Sequence, residues 1–291
     1  MAALDSARSR QRKKYVTSSG RPAALPALTN AMADEDARVR RGATQALSKV
    51  GPDAASILGR AIADTDKEVR RRAIRGLIEL GPKAVKATPS LVSKLSDPEL
   101  RYAVSTVLSA IGAPAVPALT EALAHEDPRL RRDAAGALAR IGPAAAQSVL
   151  QAVEHDDPRV REIAVGTLYT LAASNPQAGP ALIKALTDSD HQVRRAAALG
   201  LGRVKPASKE AAAALVRVVD DPVPDVRQAA IQSLRILRQD ASVVVPALVQ
   251  RLIDVNPGVR ENAASALRTF GPEASGAVAA LTKALEEDHD R

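Results

Sequence analysis

The side chains with the clearest chemical pattern in this sequence are arginines that recur at fixed intervals. Eight of them follow a valine or leucine, and successive arginines are 30, 31, 30, 30, 33, 33 and 33 residues apart. A guanidinium group stays charged and donates several hydrogen bonds to carboxylates or phosphates. The pattern therefore predicts either repeated internal ion pairs or a repeated binding group. The eight residues are Arg40, Arg70, Arg101, Arg131, Arg161, Arg194, Arg227 and Arg260.

Aspartates stand four residues before six of these arginines. Aspartate is a strong N-cap, because its carboxylate accepts hydrogen bonds from the first free N–H groups of a helix. Each aspartate therefore predicts a helix start. The eighth interval has Asn256 at this position, and the seventh has Asp221 six residues before the arginine, which predicts a longer turn there. The six aspartates are Asp36, Asp66, Asp97, Asp127, Asp157 and Asp190.

Residue patterns for catalysis or metal binding are weak. The absence of cysteine excludes disulfides, thiolate metal sites and cysteine nucleophiles. His125, His155 and His191 fall in three consecutive predicted turns. Stacked helices lie about 8–10 Å apart, too far for shared coordination at about 2 Å per ligand. We find no nucleophile–base pattern or phosphate-binding glycine loop, and we expect no enzyme activity, no cofactor and no metal.

The net charge of +8 is concentrated at the N-terminus. Residues 1–21 hold six bases and one acid, whereas the other 270 residues hold 35 bases and 32 acids. We predict a flexible basic tail over residues 1–21 that contacts phosphates or anionic lipid, with a merely solvated end as the alternative. No apolar run approaches the roughly 18 residues of a membrane span, and the N-terminus lacks the apolar stretch of a secretory signal.

The elements that would position these residues are pairs of helices. The second helix of a pair, helix B, begins at the aspartate, carries an apolar stripe and ends at glycine followed by proline. A shorter helix A precedes it and opens with Pro-Ala-Leu. A small residue three positions after each arginine lets neighbouring helices approach closely. Such helix A openings stand at Pro26, Pro117, Pro180 and Pro246.

The pattern Asp-x-x-Val-Arg-x-x-Ala, in eight intervals, resembles short bacterial HEAT repeats of the phycobilisome-lyase type. The resemblance covers roughly residues 22–287 and implies an all-α fold: a right-handed α-solenoid, or superhelix, of about eight two-helix HEAT repeats plus a C-terminal capping helix. It implies A helices on the convex side, B helices on the concave side, and a structural ladder of the aspartates and arginines above. The predicted units are 22–50, 52–80, 82–111, 114–141, 143–173, 176–204, 206–238, 240–270 and the cap 272–287.

A second set of arginines is predicted to point away from the apolar stripe of helix B. If the B helices line the concave face, these arginines form a discontinuous basic row for an anionic partner, with an ordinary solvated surface as the alternative. Tyr102 and Tyr169 are candidate contact anchors, because tyrosine is common at binding hot spots; filling gaps between repeats is their alternative role. The arginines are Arg41, Arg71, Arg75, Arg132, Arg140, Arg195, Arg203, Arg235 and Arg268.

Together these patterns predict a non-catalytic scaffold for protein–protein interaction that binds a protein partner along the B helices, as a cytoplasmic monomer. One alternative is binding of nucleic acid or another polyanion through the basic tail and the B-helix arginines, although the near-neutral body and scarce aromatics weigh against it. The other alternative is an accessory subunit of a lyase- or hydroxylase-type enzyme. The single His-Glu pair, His125-Glu126, does not support the activity of HEAT-like iron hydroxylases.

Overall fold

The structure is a computed structural model that describes residues 24–172, 175–204 and 208–277, together with Thr282. The predicted basic tail, residues 1–21, and most of the predicted cap, residues 272–287, lie outside these ranges. Every regular element within the described ranges is helical, so the predicted all-α class is confirmed. The chain divides into two compact units, unit 1 at residues 1–144 and unit 2 at residues 145–291.

Unit 1 contains four pairs of helices in its described part, each a short helix A followed by helix B. Consecutive B helices pack side by side, and each helix B also packs against its own helix A, which is the arrangement of an α-solenoid. The A helices are α1 (Leu25–Ala31), α3 (Ala55–Ala61), α5 (Thr88–Val92) and α7 (Val116–Ala122). The B helices are α2 (Ala37–Val50), α4 (Lys67–Leu80), α6 (Arg101–Ile111) and α8 (Pro128–Ile141).

Unit 2 repeats this arrangement with four further pairs in its described part. Its B helices pack in the order α10, α12, α14 and α16, so unit 2 is also an α-solenoid. The A helices are α9 (Ala146–Ala152), α11 (Ala178–Ala185), α13 (Lys209–Val218) and α15 (Ala241–Gln250). The B helices are α10 (Pro158–Leu171), α12 (His191–Leu201), α14 (Pro224–Leu237) and α16 (Pro257–Phe270).

Local chemistry sets the ends of most B helices, as predicted. Asp66 caps α4 by accepting hydrogen bonds from the N–H groups of Glu68 and Val69 at 3.0 Å. Five B helices end at a glycine with positive φ, the left-handed region that glycine enters without steric cost. In four of these joints a proline follows and a 3₁₀ turn begins, and in the joints at Gly51, Gly81 and Gly142 that turn leads into the next helix A. The five glycines are Gly51, Gly81, Gly112, Gly142 and Gly271.

Three sequence predictions about element boundaries are wrong. Asp97 does not start helix α6, which begins at Arg101 with Leu100 as its N-cap. The seventh turn is not longer, because Val223 is the N-cap of α14. Asp221 stands six residues before the ladder arginine of its repeat, and Asp188 and Asp254 hold the same position in the neighbouring turns. Pro246 does not open helix α15, which begins five residues earlier at Ala241. Because proline has no N–H, α15 continues through it without one intrahelical hydrogen bond.

The core of each unit is a thin layer of alanine, leucine, valine and isoleucine between the A and B helices. Leu108 in α6 is fully buried in unit 1. In unit 2 the chain passes so closely at the end of α12 that a Cβ atom on Gly202 would lie 2.9 Å from the Cα of Ser233. The Ser233 hydroxyl donates to the Ala198 carbonyl at 2.7 Å, so this contact fixes α14 against α12.

Candidate binding surface

The arginine ladder uses a different carboxylate from the one predicted. In unit 2, Arg194 Nε donates to Asp221 at 2.6 Å and Nη2 donates to the same carboxylate at 3.0 Å, while Nη1 donates to the Asp188 carbonyl of its own turn at 2.9 Å. The aspartate of each rung stands two residues before the N-cap of the following helix B, not at the N-cap. The equivalent pairs in the described part are Arg40–Asp64, Arg161–Asp188 and Arg227–Asp254.

The physical reason is the direction in which each carboxylate points. An N-cap side chain turns toward the N–H groups of its own helix, as Asp127 does toward Arg129 at 2.8 Å. The carboxylate two residues earlier accepts a hydrogen bond from the N–H of the N-cap residue, as Asp64 does from Asp66 at 2.8 Å. The same carboxylate forms the ion pair with the arginine of the preceding repeat. Five of the six predicted aspartates therefore serve as N-caps: Asp36, Asp66, Asp127, Asp157 and Asp190. Asp97 accepts the Glu99 N–H within the turn that precedes α6 and does not cap that helix.

Three ladder arginines of unit 1 lack this partner because the sequence does not supply the aspartate: Arg70, Arg101 and Arg131. In the turns that follow them, Leu95, His125 and His155 stand where Asp64 stands in its own turn. Arg70 accordingly bonds only the carbonyls of its own turn, Asp64 and Thr65, at 2.7 and 3.0 Å.

Arg101, Arg131 and Arg260 make other contacts. Arg101, which begins α6, is half exposed and lies 3.6 Å from Asp133. Arg131 donates to the carbonyls of His125 and Glu126 at 2.9 and 2.8 Å. Arg260 donates to the Asp254 carbonyl at 3.0 Å. Apart from Arg101, the ladder arginines are therefore held by hydrogen bonds within the protein.

Several half-buried carboxylates are held in the charged form by neighbouring arginines. Hydrogen bonds from the side chain and backbone of Arg38 lower the pKa of Asp36 from 3.8 to about 2, and Arg159 lowers the pKa of Asp157 in the same way to about 2. On α4, Arg71 and Arg72 both bind Glu68 and lower its pKa from 4.5 to about 2. These ion pairs exist at neutral pH and are lost only in acid.

This electrostatic arrangement predicts acid sensitivity in a defined window. A carboxyl whose pKa is lower in the folded chain stabilises the fold above its unfolded pKa of about 4, and that stability disappears as the pH falls toward 2. The thermal midpoint, followed by circular dichroism, is expected to fall steeply between pH 4 and 2, and less steeply in Glu68→Gln. The control is Glu79→Gln, on the same helix; equal slopes in wild type and Glu68→Gln would contradict the prediction.

The arginines of the predicted basic row lie on B helices or just after them. They differ in solvent exposure and in whether an acidic side chain already pairs with them. Arg41 is half exposed and bonds Asp66 at 2.9 Å, so its charge is already paired. Arg71 pairs with Glu68 at 2.7 Å but remains 64% exposed. Arg235 is half-buried. The others are exposed: Arg75, Arg132, Arg140, Arg195, Arg203 and Arg268.

Two of these arginines lie over the tyrosines that the sequence singles out, one pair in each unit. The guanidinium of Arg140 lies 5.6 Å from the ring centroid of Tyr102, which is 76% exposed on α6. The guanidinium of Arg203 lies 5.2 Å from the ring of the half-buried Tyr169, and its Nη1 donates to the tyrosine hydroxyl at 3.3 Å. A cation over an aromatic face is attracted by the ring electrons, so each pair presents an apolar ring beside a fixed positive charge.

Unit 1 also has a groove of about 350 Å³ between α2 and α4. Its basic side chains are Lys49, Arg71, Arg72 and Arg75, and its acidic ones are Glu68 and Glu79. The helices approach closely at its base, where a Cβ on Gly76 would overlap the Ser48 side chain. Sequence reasoning missed Lys49 and the groove, because neither follows from the pattern of one repeat.

The two units differ in charge. Residues 24–144 contain 18 lysines and arginines against 14 aspartates and glutamates, a net charge of +4. Residues 145–291 contain 17 bases against 18 acids, a net charge of −1. Outside the basic N-terminal segment, the excess positive charge therefore belongs to unit 1, where the groove lies.

Neither a metal centre nor a single membrane-spanning helix is found in the described ranges. No group of three histidine, aspartate or glutamate side chains there could hold a metal ion. No single helix there is long and apolar enough to cross a membrane; Arg101–Ile111 and Ala113–Ala122 reach that length and composition only as a pair bent by 115°.

Models of known protein families match this chain over its successive repeats. The HEAT repeats family model matches residues 14–78, 55–138, 88–168 and 147–235, and a HEAT repeat model matches residues 244–274. The chain therefore belongs to the HEAT-repeat family, as its sequence pattern predicts. No match is found among curated protein sequences.

Solved Kap121p structures show the same fold. Kap121p bound to Pho4p superposes with a TM-score of 0.58 at 15% identity over 91% of this chain and 35% of Kap121p. Kap121p bound to Nup53p gives a TM-score of 0.57 with the same identity and coverage. The complex of CpcE and CpcF of phycocyanin lyase from Nostoc sp. PCC7120 matches at 29% identity over 52% of this chain and 97% of that chain, with a TM-score of 0.48.

Proposed function

We propose that this protein is a non-catalytic scaffold that binds a protein partner along the exposed side of its B helices. HEAT-type solenoids commonly present an extended surface to other proteins. The observation that carries the proposal is Tyr102, a large aromatic side chain left 76% exposed on a B helix beside the guanidinium of Arg140. Tyrosine and arginine are the residue types enriched at the centres of protein interfaces.

Unit 2 supports the proposal with a second pair of the same kind. Arg203 over Tyr169 again joins two neighbouring repeats, since Tyr169 lies in α10 and Arg203 lies two residues after the end of α12. Solved Kap121p structures of similar fold are described as bound to Nup53p and to Pho4p.

Affinity capture from the cells that express the protein, followed by mass spectrometry, tests the proposal. Truncating an interface hot spot costs about 2 kcal/mol or more, so Tyr102→Ala/Tyr169→Ala is expected to lower recovery of a captured partner at least about tenfold. Tyr102→Ala alone serves as a second variant, because its exposed side chain contributes little to the core.

The matched control removes exposed apolar side chains elsewhere. Val243→Ala/Ile253→Ala lies on helix α15 and the turn after it, where these side chains are 45% and 69% exposed. This control is expected to retain the partner. Recovery of no protein by wild type, or equal recovery with both tyrosine variants, would overturn the proposal.

A further inference from the structure

The α2–α4 groove of unit 1 contains basic groups that the protein does not use internally. Glu68 is already bound by Arg71 at 2.7 Å and by Arg72 at 2.9 Å. Arg72 also donates to the Gln45 side chain at 2.9 Å. These contacts fix one wall of the groove and leave its other cations available.

Lys49 and Arg75 are those cations. Both side chains line the groove and are exposed, and neither makes a hydrogen bond or ion pair to any part of the chain that the structure describes. Arg71, although paired, keeps one side of its guanidinium open to solvent at 64% exposure. The groove thus offers two unpaired cations and one partly available cation around a shallow base.

Resting on the proposed protein-binding function, we propose that unit 1 recognises an extended acidic segment of its partner. Carboxylates of that segment pair with Lys49, Arg75 and Arg71 in the groove, and an apolar side chain packs on Tyr102 beside Arg140. The excess positive charge of residues 24–144 complements such a segment.

The spacing of the B helices gives the length of the segment. Helix α4 packs on α6, and α6 packs on α8, and packed helices lie about 8–10 Å apart. The distance from the groove on α4 to Arg140 on α8 is therefore about 16–20 Å. An extended peptide advances about 3.3 Å per residue, so about six residues reach from one anchor to the other.

A peptide fits this surface better than a nucleic acid does. Glu68 and Glu79 line the same groove as the cations. A nucleic acid strand carries a phosphate about every 3.4 Å, so some of its charges would face these glutamates. Binding of single strands also relies on several stacked aromatics, whereas Tyr102 is the exposed aromatic side chain of the described part of unit 1.

Fluorescence anisotropy with the full chain tests this proposal. The probe is a fluorescein-labelled peptide, Gly-Glu-Asp-Leu-Glu-Asp-Leu-Gly, and its neutral counterpart has Gln and Asn in place of Glu and Asp. We expect the acidic probe to bind at low salt, the neutral probe to bind at least about tenfold more weakly, and the affinity of the acidic probe to fall as salt rises. An oligothymidine of equal length is expected to bind more weakly than the acidic probe.

Paired variants locate the binding. Lys49→Ala/Arg75→Ala is expected to weaken the acidic probe about tenfold, because two ion pairs are removed. The matched control, Lys209→Ala/Arg217→Ala, removes one exposed lysine and one exposed arginine from helix α13 of unit 2 and is expected to leave the affinity unchanged. Circular dichroism checks that both variants keep their helix content.

Four outcomes would overturn the inference: no binding of the acidic probe, equal binding of the neutral probe, equal effects of the two double variants, or tighter binding of the oligothymidine. A failure here is distinct from a failure of the scaffold proposal. Suppose that capture of a partner depends on Tyr102 and Tyr169, but the acidic probe does not displace that partner. This result would refute the proposed acidic segment and leave the scaffold proposal standing.

Discussion

Asp254→Ala is expected to lower the free energy of unfolding of unit 2 by about 3–5 kcal/mol, the usual cost of removing one partner from a buried ion pair. The side chains of Arg227 and Asp254 are only 8% and 4% exposed and lie 2.7 Å apart. Arg227 Nε already has no hydrogen-bond partner, so the variant leaves a buried guanidinium with two backbone carbonyls as its remaining acceptors.

The charged state of this pair supports the size of the effect. Burial raises the pKa of Asp254, but hydrogen bonds from Arg227 and from the Asn256 N–H outweigh burial, and the pKa is lowered overall. The carboxylate is therefore ionised at neutral pH and is available to neutralise Arg227.

Chemical denaturation followed by circular dichroism measures the loss. Glu154→Ala is the matched control, because Glu154 pairs with Lys184 at 2.6 Å but both side chains are at least 65% exposed, and exposed pairs contribute about 0–1 kcal/mol. Arg227→Met/Asp254→Ala is expected to recover much of the loss, since it removes the uncompensated charge. A loss in Asp254→Ala no larger than in Glu154→Ala would contradict the prediction.

Leu108→Ala is expected to destabilise unit 1 by about 2–5 kcal/mol. Leu108 is fully buried in α6, whose neighbours α4 and α8 pack on both sides. Removing its side chain loses the transfer free energy of the buried carbons and leaves a cavity that rigid helices on both sides fill only in part.

Hydrogen exchange gives the sharper measurement. Because each solenoid repeat contacts only its neighbours, faster exchange is expected in α4, α6 and α8, with little change in α12 and α14 of unit 2. Leu108→Met keeps most of the volume and is expected to cost less than about 1.5 kcal/mol. Equal exchange in all helices of the Leu108→Ala variant would show that the effect is not local.

The helices themselves were largely predictable from the sequence because their ends depend on local chemistry. An aspartate accepts N–H groups two and three residues ahead, and a glycine supplies the positive φ that ends the helix. Where the local signal was weaker, prediction was wrong: Pro246 lies inside α15, and the two prolines near Asp221 do not lengthen its turn.

The candidate surface was less predictable because it depends on contacts between repeats. Arg71 and Arg75 follow from the helical period, but Lys49 faces them only because α2 and α4 meet closely at Ser48 and Gly76. The stacking of Arg140 on Tyr102 likewise joins residues of different helices. Such contacts depend on the packing angle and the register of neighbouring helices, and a repeat pattern in the sequence specifies neither.

The sequence by itself determined the family, the helix pairs and the positions of their caps, because residues a few positions apart interact within one helix or turn. Only the tertiary structure decided which carboxylate meets each arginine. In the four rungs the partners are 24 to 27 residues apart. Where one turn offers two aspartates, as for Arg40 and Arg161, the choice between them depends on how the next repeat packs. The same packing brings Lys49 and Arg75 to one groove without a partner in the part of the chain that the structure describes. A cation without an internal partner is a candidate binding group, whereas a paired one is structural.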